Sequence, residues 1–316
     1  MAENKKMPEF AVSAKGLVKK YGKADKPGKL ALDHIDLDIP RGSIFALLGP
    51  NGAGKSTFIN ILAQLVRKTE GKIEVWGTDI DQDSRHVAAS IGIVPQELNI
   101  DPFFTPRELL DLQAGLYGVP KSRRKTDELL SAMSLADKAN AYTRTLSGGM
   151  RRRLMVAKAM VHEPPVLILD EPTAGVDVEL RQQLWSYIRA LNKKGVTILL
   201  TTHYLEEAEE LCDWIAIIDH GKVIACEPKP QMLSRLDSKE LIVTLDKELS
   251  SLPFSGPEIE AAILDRRQWL IRYQPSVTKI GTILSSLHNA GLTIQELSTK
   301  EADLEDIFLR LTQRHP

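Results

Sequence analysis

Cysteine is almost missing from this 316-residue chain: only Cys212 and Cys226 occur, at a spacing that suits neither a metal-ligand nor a redox motif. A disulfide-built scaffold and a Cys-based zinc module are excluded, and both residues are expected to be small core or surface residues. Net charge is lacking too. The balance of 41 Lys and Arg against 42 Asp and Glu leaves a formal charge of -1, so the chain as a whole exerts no electrostatic pull toward nucleic acid or anionic lipid. No apolar stretch approaches the length of a membrane span, and the opening Met1-Ala2-Glu3-Asn4-Lys5-Lys6 has no apolar signal region. These absences lead to the expectation of a soluble, reduced, intracellular chain whose partners must be read from its sites. Its length suits one large domain and one small one.

What is present is concentrated at Gly49-Pro50-Asn51-Gly52-Ala53-Gly54-Lys55-Ser56-Thr57, which fits G-x-x-x-x-G-K-[ST]. Ile44-Phe45-Ala46-Leu47-Leu48 before it is a continuous β-prone run suited to a buried parallel strand. Phe58, Ile61, Leu62 and Leu65 after it recur at helical spacing. The glycines therefore fall at a strand-to-helix turn, where successive backbone N–H groups close on an anion and the helix N-terminus adds partial positive charge. In that setting Lys55 reaches the β and γ phosphates and the Ser56 hydroxyl ligates Mg²⁺. A Gly-rich turn that merely joins strand to helix is the plainer alternative, and the flanking periodicity argues against it.

Elsewhere the pattern supplies elements and further candidates. Phe10–Ala14 and Ile35–Ile39 read as strands, the second with period-two alternation. Tyr21 is an aromatic able either to stack on a purine ring or to pack. Ser90–Val94 reads as a strand, with Gln96 just beyond it as a metal, water or surface amide. Thr105-Pro106-Arg107-Glu108 is a capping box opening a helix with Leu109, Leu110 and Leu112. Adjacent Phe103 and Phe104 are expected to divide into one core anchor and one partner-facing ring. Leu146-Ser147-Gly148-Gly149-Met150 precedes a helix with Met150, Leu154, Ala157 and Val161 on one face. Ser147 there is either an anion contact or an ordinary N-cap. Arg151, Arg152 and Arg153 oppose that helix's dipole and require compensation. Val166-Leu167-Ile168-Leu169 ends in Asp170-Glu171, a costly tandem unless a cation is near. If this strand lies beside Leu48, Asp170 points at Mg²⁺ near Ser56 and Glu171 at the attacking water. A helix over about Val178–Asn192 and a strand Val196–Leu200 lead to Thr201-Thr202-His203, with His203 at the same sheet end.

Taken together, and over roughly residues 8 to 228, these residues resemble the ATP-binding cassette of ABC proteins. The resemblance implies an α/β fold: a P-loop NTPase cassette with a RecA-like core, an antiparallel β subdomain and a helical subdomain at about 98–161, within a domain of residues 1–228. It implies ATP and Mg²⁺ as ligands. It makes Tyr21 the adenine-stacking aromatic, Gln96 the link between Mg²⁺ and the transporter contact, Glu171 the catalytic base and His203 the γ-phosphate contact. Asp177, in the Ala174–Asp177 turn, falls within the same motif series. Met150 stands where the signature usually has Gln, and Cys226 where Gly is common; Ser147, Gly148 and Gly149 are retained.

The same resemblance carries an assembly. A signature on a helical arm cannot fold back onto its own phosphate loop, so each ATP needs Ser147, Gly148 and Gly149 from a second copy, giving a two-fold dimer bridged by two nucleotides. The signature, Thr202–Glu209 and the tail are similar to ATP-binding subunits of ABC-2-type exporters. That implies a separate membrane permease, a cytoplasmic position peripheral to the inner face of the membrane, and no nucleic-acid partner. Residues 229–316 look like the small C-terminal α/β domain of these subunits, with strands at Leu241–Leu245 and Trp269–Tyr273, a helix over Val277 to about Asn289 and a last segment Leu304–Leu309. A soluble ABC-type ATPase of translation or DNA repair is the alternative, against which stand the single cassette and the missing coiled-coil insertion.

Overall fold

The computed structural model describes residues 7–22, 28–97, 99–174, 176, 178–235, 239–249, 259–301 and 303–312. The chain divides into two compact units, Met1–Lys229 and Pro230–Pro316.

The first unit opens with β1 (Phe10–Tyr21) and β2 (Lys29–Pro40), both longer than their apolar alternation announces because polar residues continue the pairing as far as Tyr21 opposite Lys29. Next come β3 (Ile44–Leu48), α1 (Lys55–Leu62), β4 (Glu70–Val75), β5 (Thr78–Asp79), α2 (Ser84–Ser90) and β6 (Ile91–Val94). Ser90 closes α2 rather than starting the strand, its hydroxyl bonded to the His86 carbonyl. α1 ends at Leu62, short of Leu65. Gln64 turns into the left-handed region at φ 61° and Leu65 is exposed. Then follow α3 (Pro106–Leu116), α4 (Thr126–Ala132), α5 (Gly148–Ala159), β7 (Val166–Asp170), α6 (Val178–Lys193), β8 (Thr197–Thr201), α7 (Leu205–Leu211), β9 (Trp214–Asp219) and β10 (Lys222–Pro228).

Two sheets result. One runs β2-β1-β4-β5 and is antiparallel; the other runs β10-β9-β3-β8-β7-β6, parallel except for β10. Strands covered on both faces must be apolar at every position, and β3 and the Val166–Leu169 part of β7 are wholly buried. The alternating strand β2 instead sends Ile35, Leu37 and Ile39 inward. They join Phe45, Leu47, Phe58, Ile168 and Leu199 in one core shared by both sheets. The helices α3, α4 and α5 pack on one another, and α5 also packs on β6. α3 starts at the capping box: the Thr105 hydroxyl accepts from Glu108 N at 3.2 Å while Glu108 accepts from Thr105 N at 2.9 Å. Leu109 and Leu110 are buried; Leu112, expected with them, is 47% exposed.

The chain passes through α8 (Lys229–Ser234) into the second unit's β11 (Lys239–Leu245), β12 (Ile259–Asp265), β13 (Gln268–Tyr273), α9 (Ile280–Asn289), β14 (Ile294–Glu301) and α10 (Leu304–Thr312). Its sheet is antiparallel, ordered β12-β13-β11-β14. Leu241, Val243, Trp269 and Ile271 pack with Ile283 and Leu287 of α9. The edge strand β12 is exposed from Glu260 onward and so lacks the burial alternation that announces a half-buried strand. α9 starts three residues later than Val277, after a turn in which Thr278 N bonds Gln274 O.

Cys212 is buried and Cys226 half-buried, as free thiols. Burial pushes the Cys226 thiol up to about 11 and raises that of Cys212 as well. The thiolate fraction of Cys226 at pH 8 is therefore about 10²-fold below that of an exposed cysteine. Alkylation at pH 8 is expected to be slow in the native chain and fast in denaturant; fast native labelling would contradict this burial. Gly49 offers a steric test. An added Cβ would stand 2.2 Å from the carbonyl oxygen of Ile218 on the neighbouring β9. Gly49→Ala is expected to lower the denaturation midpoint, and an unchanged midpoint would contradict this close approach.

Candidate active site

The phosphate loop leaves β3 at Leu48 and enters α1 at Lys55, between β9 and the β1–β2 hairpin. Gly54, the residue before α1, sits at φ 117°, and a Cβ there would approach the Ala31 carbonyl oxygen to 2.7 Å. The loop is fixed on its far side as well: Ala53 O accepts from Gly221 N at 2.9 Å, and Gly221 O accepts from Asp33 N at 2.8 Å. Lys55 is buried, and its ammonium donates to Gly49 O at 2.6 Å and Pro50 O at 3.2 Å. Burial lowers its pKa, with the charges of Glu171 and Asp170 acting in opposition. A desolvated cation held on its own loop's carbonyls, beside exposed Ser56, matches the donor set for a phosphate chain.

The two carboxylates reach this loop across an intervening strand. β7 does not lie beside Leu48: β8 pairs with β3 on one side and with β7 on the other. In a parallel sheet, strands one place apart still end at the same edge, so the loops after β3, β7 and β8 meet there. Thr201 at the end of β8 joins them. Its hydroxyl donates to Asp170 Oδ1, while Glu171 N donates to Thr201 O at 3.0 Å. Glu171 has φ 48°, an uncommon left-handed conformation for a glutamate. This turn aims its side chain at two others: Gln96 Nε2 donates to Glu171 Oε2 at 2.9 Å, and His203 Nδ1 lies 3.3 Å from that oxygen.

One cleft is lined by Tyr21, Asn51, Gly52, Gly54, Lys55, Ser56, Thr57, Gln96, Asp170 and Glu171, with Lys29 and Ala31. Gly49 and Pro50 supply the carbonyls that hold Lys55, and Ala53 is buried beneath the loop. Tyr21 stands at the hairpin end, 40% exposed, with Lys19 Nζ 4.8 Å from its ring centre. The signature residues Ser147, Gly148 and Gly149 are not among this lining. They open α5, where the Ser147 hydroxyl caps Met150 N at 3.2 Å. Asp177 lies outside the described residues.

The arginines of α5 divide their work. Arg151 is exposed, and Arg153 reaches Gln183 Oε1 at 3.4 Å. Arg152 is buried and donates to the carbonyl of Pro95 at 2.9 Å, immediately before Gln96. Burial lowers its pKa, while Asp170 and Glu171 act to raise it, so the compensation demanded by three like charges comes partly from the cleft's own carboxylates. Thr201 and Glu207 are not marked by the sequence: a threonine ending a strand and one acid among several in Glu206-Glu207-Ala208-Glu209-Glu210 carry no local signal.

Comparison with known proteins gives the arrangement its family. Residues 32–174 match the ABC transporter family model. The chain is 35% identical to the daunorubicin resistance ATP-binding protein DrrA3 of Streptomyces coeruleorubidus, over 97% of each chain. It is also 35% identical to the Nod factor export ATP-binding protein I of Ralstonia nicotianae, over 96% of this chain and 94% of that one. Among solved structures it resembles the dimeric post-hydrolysis state of the ATP-binding cassette MJ0796 bound to ADP and Pi. That likeness has a TM-score of 0.61 and 28% identity, over 69% of this chain and 98% of that one. The alternative of a translation or repair ATPase finds no support in these relatives. The chain belongs to the ATP-binding subunits of ABC transporters, in the exporter-type group of ATPases represented by the drug-resistance and Nod factor export proteins.

Proposed function

We propose that this chain binds Mg-ATP between two copies of itself and that hydrolysis drives a separate ABC-2-type membrane permease, in the direction of export. The observation that carries this reading is the meeting of Lys55, Gln96, Asp170, Glu171 and His203 at one sheet edge. Bound there, Mg²⁺ would neutralise the charge of the phosphates. Ser56, Gln96 and Asp170 would hold it. No group of three or more His, Cys, Asp or Glu able to hold a metal occurs among the described residues.

Each residue then has a task its position supports. Lys55 exchanges loop carbonyls for the β and γ phosphates. Tyr21 stacks on adenine at the hairpin end of the cleft. Gly49 to Thr57 surround the phosphates, the N–H groups of Gly52 to Thr57 donating to them and Pro50 and Asn51 shaping the turn. Glu171 accepts the proton of the attacking water, with its carboxylate oriented by Gln96 and His203. His203 contacts the γ phosphate. Gln96 responds to the phosphate end of the cleft through Glu171 and leads toward the helical segment that meets the permease.

That Ser147, Gly148 and Gly149 do not line this cleft supports a shared site. Ser147, Gly148 and Gly149 begin a helix N-terminus, a donor array suited to the γ phosphate of a second copy's nucleotide, with Asp177 at the same interface. Loss of that phosphate releases both faces. For the permease we assign Phe103, 70% exposed beside its half-buried neighbour Phe104. We assign the permease to a separate chain and this chain to a peripheral, cytoplasmic place on the inner membrane face; no helix among the described residues is long and apolar enough to cross a membrane. The boundary near residue 229 is assigned to the end of the cassette, with residues 229–316 as an accessory domain in dimer contact.

Glu171→Gln is expected to slow ATP turnover by about 10²-fold or more while leaving ATP binding intact. Turnover and nucleotide affinity measured on the same preparation decide it, and wild-type turnover would remove Glu171 from the mechanism.

A further inference from the structure

The Glu207 side chain on α7 is fully buried, 0% exposed, yet accepts two hydrogen bonds. Its Oε2 accepts from the Thr173 hydroxyl at 3.1 Å and its Oε1 from the indole N–H of Trp185 at 3.0 Å. The buried Thr202 hydroxyl acts on the same carboxylate, opposing the rise in pKa that burial imposes. Arg181, one turn before Trp185 on α6, adds an attractive charge. Thr173 and Thr202 are themselves buried, at 1% exposure each. Taking a carboxylate out of water is expensive, and an apolar residue would pack this position at lower cost.

The chemistry of the partners shows what the carboxylate adds. Thr173 is two residues after Glu171, and α7, which carries Glu207, begins two residues after His203. The Thr173 bond to Glu207 thus ties the backbone after Glu171 to the helix into which the His203 backbone runs. Thr202 is gripped from its other side by Tyr204 N, at 3.0 Å. Glu171 Oε2 and His203 Nδ1 are 3.3 Å apart, a separation that follows from where these two loops are held. We propose that Glu207 is a positioning residue for ATP hydrolysis: it fixes the loop of Glu171 and the loop of His203 in one register without touching nucleotide. The inference rests on the proposed roles of Glu171 and His203 in hydrolysis.

The test uses the full-length chain. Thr173→Val and Thr202→Val remove the two hydroxyls at nearly constant volume. Glu207→Gln keeps the shape and can retain both hydrogen bonds, its amide oxygen accepting from Trp185 Nε1 and its NH2 donating to the Thr173 hydroxyl. Glu207→Leu abolishes them. The double Thr variant and Glu207→Leu are expected to lower kcat about 10- to 10²-fold, the cost of misplacing a catalytic group by about 1 Å. ATP affinity should stay near wild type, since the phosphate loop is untouched, and Glu207→Gln should recover most of kcat. Added to Glu171→Gln, the Thr substitutions should cause no further loss. Wild-type kcat in the double Thr variant, alongside a dead Glu171→Gln, overturns the anchor alone; this comparison stands even if Glu207→Leu fails to fold. Wild-type turnover in Glu171→Gln overturns the reading of Glu171 and the anchor with it.

Discussion

A buried lysine facing two carboxylates at the end of a parallel sheet is the constraint from which the rest of the structure follows. Lys55 is desolvated at the start of α1 and satisfied by carbonyls of its own loop, with Asp170 and Glu171 in electrostatic reach across β8. None of these charges would be tolerated singly at the edge of an apolar core. Parallel strands end at a common edge, so the β3, β7 and β8 loops converge, and the second sheet closes over the phosphate loop through Ala53, Gly221 and Asp33. Glu171, its amide and imidazole neighbours and the phosphate loop all hang from neighbouring strand ends.

If two copies share each nucleotide, that edge is only half of a site. The cleft has walls from the hairpin, the phosphate loop and the carboxylate turn, while the Ser147 helix terminus stands on another element and contributes none of the lining. Arg152 connects the two regions within one chain, since it begins on the signature helix and ends on the carbonyl before Gln96. The charges of the same Asp170 and Glu171 act on that buried guanidinium.

Much of this is legible in the sequence where chemistry and periodicity agree. The loop from Gly49 to Thr57 needs both its spacing and the flanking strand and helix; the capping box at Thr105, the all-apolar β3 and the Val166–Leu169 run of β7 declare themselves. What stays hidden depends on long-range pairing. Nothing in Val166–Asp170 says that β8 separates it from β3, and strand ends such as Lys19–Tyr21 are polar because pairing, not burial, extends them. β12 is an exposed edge without alternation. Thr201 and Glu207 matter through partners about 31 and 34 residues away, which local pattern does not disclose.

The central claim, that a working site is assembled from two chains, is tested most directly by mixing two inactive variants. Lys55→Ala destroys the phosphate-loop half of a site and Ser147→Arg the signature half. In a mixed dimer one site carries both defects and the other carries neither. Each variant alone is expected to be inactive, and mixing the two is expected to restore ATP hydrolysis to a substantial fraction of wild type. Mixtures that remain as inactive as the separate variants, under conditions where hetero-dimers form, would contradict the claim.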